Sequence, residues 1–248
     1  MKNQFDAKYQ EIKNKAIQLY KEGKSCKEIS NLLGIHRCTV GKWMKEVGII
    51  RSRGAKTLFN EHYFDKIDSS KKAYYLGWLM ADRYLKDTVL KIHISLKDRE
   101  LIDSFLKDLQ SKNTPLEKVT ISKDGKKYYS YYISLTSKYM EKILNSYGIV
   151  FPKLNRKYFS GIDKKYFRDF FRGLFDGDGH IDNNITCCGT KELLELIPFK
   201  GNIKYINGTH IIYFNTSTSK EILKYLYYDE SVICLKRKYY TAMNILKK

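Results

Sequence analysis

The sequence predicts an α+β protein: an all-α module at the N-terminus, followed by a duplicated α/β unit. Three observations carry this. Residues 8–47 show helical apolar spacing broken by glycines. The strings AYYLGWLMADR (73–83) and DFFRGLFDGDG (169–179) repeat 96 residues apart, since 178 − 82 = 96. Between and after them lie short segments that alternate apolar and polar residues, the period of half-buried strands.

In the module, residues 8–22 carry Ile12, Ala16, Ile17 and Leu19 at helical spacing, and Gly23 ends that helix. Ser25 stands three residues before Glu28, the spacing of a capping box. A second helix runs to Leu33 and stops at Gly34, and a third runs from near His36 through Trp43 to about Val47. Two short helices joined by a tight glycine turn make a helix-turn-helix. Ile29, Leu33, Ile35, Val40 and Trp43 form its small core. His36, Arg37, Thr39 and Lys42 are left on the outer face of the third helix, the one that enters a major groove in this plan. Arg37 suits a guanine edge, and Thr39 a base edge or a phosphate. The segment resembles the helix-turn-helix of site-specific recombinases and transposases. The expected division is a module over 1–50, a basic linker and lead-in over 51–69 (RSRGAKT at its start), a first half over 70–152 and a second over 153–248.

The repeat has a physical logic. Gly77 and Ala81 are four residues apart and stack on one helix face, as do Gly173 and Gly177. Helices with small residues on facing sides approach closer than the usual 8–10 Å. Each then ends in a carboxylate, Asp82 or Asp178. Two carboxylates brought together repel unless a divalent cation lies between them. Mg²⁺ takes one or two carboxylates and completes its octahedron with water and phosphate oxygens, which suits metal-assisted phosphodiester cleavage.

The intervening segments fit this plan. LKIHISLK (90–97) alternates strictly, with Leu90, Ile92, Ile94 and Leu96 on one side and Lys91, His93, Ser95 and Lys97 on the other. Residues 98–110 read as a helix with Leu101, Ile102, Phe105 and Leu109 inward. EKVTISK and KKYYSYYISL form a hairpin at Asp124-Gly125, and residues 137–147 are helical. After Asp178 come HIDNNITCC, a helix near 190–197, NIKYI and HIIYFNTS across Asn207-Gly208, and a helix near 219–228. Lys204 and Thr216 are candidate strand contacts to DNA, with the face of each left open by the pattern.

These motifs resemble the two helices of single-chain LAGLIDADG homing endonucleases. FNEHYFDKIDSSKKAYYLGWLMAD is similar to the lead-in of phage and bacterial members that carry a helix-turn-helix. The resemblance covers roughly residues 58–245. It implies two αββαββα halves about a pseudo-twofold axis, each offering a curved antiparallel sheet to DNA. By motif position it makes Asp82 and Asp178 the metal-binding acids, with the carbonyls of Ala81 and Gly177 as further ligands. It places one lysine per half near the scissile phosphate, Lys153 in the first and Lys236 in the second, where stabilising developing charge and ordinary phosphate grip are equal alternatives. Arg237 is a further DNA contact. Met80 departs from the motif where Asp176 keeps it, so that position cannot serve two active sites. Arg83 replaces the glycine that eases the helix exit.

The resemblance further implies Mg²⁺-dependent cleavage of double-stranded DNA by a monomer, on a long asymmetric site, leaving short 3′ overhangs. Mn²⁺ is expected to substitute, and Ca²⁺ to bind without cleavage. The alternative is a DNA- or RNA-binding protein on the same scaffold without cleavage, a transcription regulator or an intron maturase. Composition agrees with a polyanion partner: 46 basic and 27 acidic residues give +19, and such charge favours nucleic acid. Residues 1–55 hold 12 basic and 5 acidic residues, or +7, and the rest 34 and 22, or +12. Five cysteines, an odd number with no CxxC spacing and with two adjacent, argue against a disulfide framework or a zinc site. No apolar run reaches membrane-spanning length and no Gly-rich phosphate loop occurs, so neither a membrane nor a small-molecule substrate is expected and the location expected is cytoplasmic.

Overall fold

In a computed structural model the chain is described over residues 2–22, 24–48, 58–150, 161–182 and 184–247. It divides into two compact units, Met1–Lys56 and Thr57–Lys248.

The first unit is three helices, α1 (Lys2–Lys21), α2 (Cys26–Leu33) and α3 (Arg37–Glu46). The capping box forms: the Glu28 amide donates to Ser25 Oγ (3.3 Å) and the Ser25 amide to Glu28 Oε2 (2.7 Å). Gly34 leaves α2 at φ 64°, a conformation that costs a residue with a Cβ about 1–2 kcal/mol. Ala16, Tyr20, Ile29, Val40, Trp43 and Met44 close a small core. Trp43 Nε1 donates to the Tyr9 hydroxyl (2.8 Å), and Lys13 pairs with Glu46 (2.9 Å), so α1 is tied to α3.

The second unit repeats one plan. Its first half runs α4 (Ser70–Asp82), β1 (Arg83–Lys86), β2 (Val89–Ser95), α5 (Arg99–Asp108), β3 (Leu116–Ile121), β4 (Lys127–Thr136) and α6 (Lys138–Ser146). Its second runs α7 (Phe167–Asp178), β5 (Gly179–Ile181), β6 (Ile185–Gly189), α8 (Lys191–Leu194), β7 (Asn202–Ile206), β8 (Thr209–Tyr213) and α9 (Thr216–Leu226), with α10 (Lys236–Leu246) added. Both sheets are antiparallel with matched order, β1-β2-β4-β3 and β5-β6-β8-β7. The αββαββα order therefore holds twice, and one core runs through both halves, with α4 and α7 inside it.

Three details differ from the sequence expectation. The second strand of the first half stops at Ser95, whose hydroxyl accepts from the Lys97 amide, so Leu96 opens a 3₁₀ turn. HIIYFNTS is strand only to Tyr213, because Asn215 caps α9 by accepting from the Thr218 amide (2.8 Å). Thr216 thus heads a helix and donates to Asn184 (3.0 Å). The glycine after Asp178 is not a left-handed exit: Gly179 has φ −87° and ψ 149°. It is needed for space, since a Cβ there would lie 2.5 Å from the Phe175 carbonyl oxygen. In the first half Arg83 opens β1 directly.

Candidate active site

The two motif helices cross where the glycines are. A Cβ on Gly77 would lie 2.0 Å from the Phe170 carbonyl oxygen, and one on Gly173 2.0 Å from that of Tyr74. The second residue met is Leu174 for Gly77, through its amide nitrogen at 3.0 Å, and Trp78 for Gly173, through its amide nitrogen at 2.7 Å. Phe170 and Leu174 in α7 stand 96 positions beyond Tyr74 and Trp78 in α4, as Gly173 stands beyond Gly77. The crossing is therefore reciprocal, which is what a twofold relation between the halves requires. No side chain larger than hydrogen fits between these backbones.

Beyond the crossing α4 ends at Asp82 and α7 at Asp178. Ala81 is buried, and Gly177 and Asp178 are half-buried. The side chains of Asp82 and Arg83 lie outside the described residues, as do Lys153 and Arg156 altogether.

Two residues before Asp178, the Asp176 carboxylate is fully buried. It accepts from the hydroxyls of Tyr74 (2.7 Å) and Tyr227 (2.7 Å) and from the Leu235 amide (2.7 Å). Burial pushes its pKa up, while those bonds and the nearby Lys238 pull the other way. Burial and the adjacent Asp176 charge hold the Tyr74 and Tyr227 hydroxyls protonated, as donors. Asp176 thus joins α7 to α4, to the end of α9 and to the start of α10. Its counterpart Met80 is buried and apolar, so this clamp exists in one half. Arg172, also buried, pairs with Asp169 (2.6 Å) and donates to the carbonyls of Ile233 (2.9 Å) and Leu226 (3.2 Å).

Lys238 completes the helix end. Its buried ammonium donates to the carbonyls of Phe175 (2.7 Å), Asp176 (2.7 Å) and Gly179 (2.5 Å). The last carbonyls of a helix lack intrahelical partners and carry partial negative charge, so a cation there both satisfies and neutralises them. Lys236, two residues earlier, is exposed and pairs with Glu100 (2.6 Å). Arg237 pairs with Asp98 (3.0 Å). The lysine at the motif-helix end is therefore Lys238. A lysine on the inward stripe of α10, in line with buried Leu235 and Ala242, was the signal for it.

The sheet registers fix which residues share the outer faces, because directly opposed residues point the same way. Lys91, His93 and Ser95 lie opposite Ser134, Tyr132 and Ser130, away from buried Leu90 and Ile92. Lys91 Nζ sits 5.7 Å from the Tyr84 ring centroid. In the second sheet Lys204 lies on the outer face, opposite Ile211, with its Nζ 5.7 Å from the Tyr213 ring. Among the residues of the eight strands the only acid is Glu117, paired with Tyr131 on the opposite face from His93. Both outer faces are thus free of carboxylates, which suits a phosphate-lined partner. In the first unit Arg37 and Lys42 are exposed and Thr39 is half-buried. His36 caps α3, its Nδ1 accepting from the Cys38 amide (3.4 Å).

All five cysteines are free thiols. Among the described residues no group of three or more His, Cys, Asp or Glu is placed to hold a metal, and no helix is long and apolar enough to cross a membrane.

Residues 13–48 match a helix-turn-helix domain family. Solved structures similar in fold include the homing endonuclease I-WcaI bound to its DNA recognition sequence. It is 14% identical with a TM-score of 0.47, covering 74% of this chain and 91% of that one. Another is the N-terminal LAGLIDADG domain of DUF199/WhiA, 17% identical with a TM-score of 0.44, covering 77% and 98%. No curated protein sequence matches the chain.

Proposed function

We propose that the chain is a site-specific DNA endonuclease of the LAGLIDADG type, which uses its helix-turn-helix module as a second grip on double-stranded DNA. The observation that supports this most is the reciprocal crossing at Gly77 and Gly173, which ends two matched helices in carboxylates. A pure binder gains nothing from placing two like charges at the end of one helix pair, and repulsion there costs stability.

The donors fit a hard divalent cation. Carboxylate and carbonyl oxygens at two helix ends are the ligand type of Mg²⁺, and among the described residues the cysteines and histidines that zinc prefers are not gathered there. Asp82 and Asp178, with the carbonyls of Ala81 and Gly177, would hold it. Bound Mg²⁺ supplies Lewis acidity and an activated water. The chain's own contribution is position. Lys238 fixes the carbonyls at the α7 end, and Asp176 locks α7 against α4 through Tyr74. The carboxylate-free sheet faces admit the duplex, and residues 1–55, which carry +7, add phosphate contacts.

The test is incubation of the full chain with the genomic DNA flanking its own gene, in Mg²⁺, followed by mapping of the ends. Double-strand breaks at one site with short 3′ overhangs support the reading. Tight binding with no cut in Mg²⁺ or Mn²⁺ assigns the chain to the cleavage-free binders on this scaffold instead.

A further inference from the structure

The helix α3 holds a glycine that its own unit does not need. Gly34 stands at φ 64°, and Gly77 has a carbonyl oxygen against it. Gly41 has neither reason. It lies in mid-helix, and a Cβ there would meet nothing within 4 Å. Glycine suits a helix interior less than any residue but proline, and the unit that bears this cost has a small core. Nothing in the fold offsets it.

The place of Gly41 on the helix indicates what comes to its open side. Val40, Trp43 and Met44 face the core. At about 100° per residue, Cys38 and Lys42 lie opposite Val40 on the outermost line, and Gly41 lies on the flank. A helix seated in a major groove turns its outermost line to the base edges and its flanks to the two sugar–phosphate walls. Arg37, Gly41 and Lys45 follow at i, i+4 and i+8 and stack along that flank, with Arg37 and Lys45 exposed. The flank is thus a cation, a gap and a cation over about 12 Å, and the floor of the gap is helix backbone. The acid next to Lys45, Glu46, is held by Lys13 (2.9 Å).

Resting on the reading of the module as a second DNA grip, we propose that Gly41 is the point at which a DNA strand comes closest to α3. The sugar–phosphate chain lies in the gap, with neighbouring phosphates on Arg37 and Lys45. The missing Cβ lets the helix sit deeper in the groove. Gly41 is therefore a positioning residue, which sets how far Lys42 on the outermost line reaches toward the bases.

The full chain is used in Ca²⁺ to select duplexes from a randomised library. The best duplex is then bound by the native chain, by Gly41→Ala and by a chain lacking residues 1–56. Hydroxyl-radical cleavage maps the shielded sugars, and those shielded only when residues 1–56 are present mark the module's site. Gly41→Ala should raise the melting temperature of the module by about 2–8 °C, weaken binding about tenfold and re-expose sugars within the module's site. Unchanged affinity, or weaker binding with every sugar still shielded, overturns the inference while leaving a DNA-binding module. A lower melting temperature overturns it as well, because the glycine then serves the fold. A footprint that loses nothing when residues 1–56 are removed takes the module out of the interface and the inference with it, and leaves the cleavage reading in place. Enrichment of no duplex at all removes the proposed function itself.

Discussion

Alanine at Gly77 or Gly173 tests the helix crossing by its magnitude. Each new Cβ would start 2.0 Å from a backbone carbonyl oxygen, and carbon atoms do not settle closer than 3.0 Å to such an atom, so the helices must part by about 1 Å. Neither partner atom is the movable end of a side chain. Overpacking of this kind costs about 1–3 kcal/mol. The same opening stretches the 2.7 Å bond from Tyr74 to Asp176, and a buried bond to a charged group is worth about 1.5–3 kcal/mol. Higher helix propensity returns about 1 kcal/mol. The net loss is about 2–5 kcal/mol, roughly 5–15 °C in Tm for a domain of this size. One separation relieves both clashes, so the double variant should cost less than the sum of the singles. Gly41→Ala in α3 is the control: a Cβ there meets nothing within 4 Å, so it should stabilise its own unit by about 0.5–1 kcal/mol. Calorimetry of the four variants checks all of this. A native-like Tm for Gly77→Ala or Gly173→Ala would refute the backbone contact.

Deleting residues 1–56 should leave the second unit folded, weaken DNA binding and flatten the salt slope, by about 0.9 for each phosphate that the module no longer neutralises; an unchanged footprint and slope would remove the module from the interface. Lys238→Met keeps the stem but strips three carbonyls of their donor, so cleavage should fall about 10–100-fold, as for a group that positions metal ligands, with little change in affinity, whereas Lys236→Met should not slow cleavage. Single-turnover rates beside binding curves separate the two. Cys234, its thiol pushed up to about 12 by burial, should be nearly all protonated at pH 8. Its alkylation should then be on the order of 10³ slower than in the unfolded chain and climb with pH, and labelling as fast as in denaturant would contradict the burial.

Much of the fold is legible in the sequence because its signals are local. Ser25, Glu28 and Gly34 mark a helix-turn-helix without any tertiary knowledge, and the alternation of Leu90, Ile92 and Ile94 marks a strand with one buried face. The duplication carries the rest, since two glycines at matched spacing have a purpose only if they meet. What escapes depends on distant partners. β1 escapes because its hairpin turns through Asp87 and Thr88, both at positive φ without a glycine to announce it. The resemblance singles out Lys236, and only the packing of α10 shows that Lys238, two residues on, is the lysine that points inward. The donors that gather on Asp176 come from Tyr74 and Tyr227, 102 and 51 residues away, beyond any spacing rule. The face of Lys204 becomes readable only from the register that opposes it to Ile211.

The central claim is that Asp82 and Asp178 jointly hold the catalytic metal. Asparagine keeps the shape of each side chain and removes the charge that binds Mg²⁺. Bound and cut fractions of one target are measured side by side, in Mg²⁺, in Ca²⁺ and without metal, for the native chain, Asp82→Asn and Asp178→Asn. Each variant should lose double-strand cleavage while binding at least as well as the native chain in the absence of metal, because a carboxylate that repels phosphate is gone. Wild-type cleavage by either variant would contradict the shared-metal site.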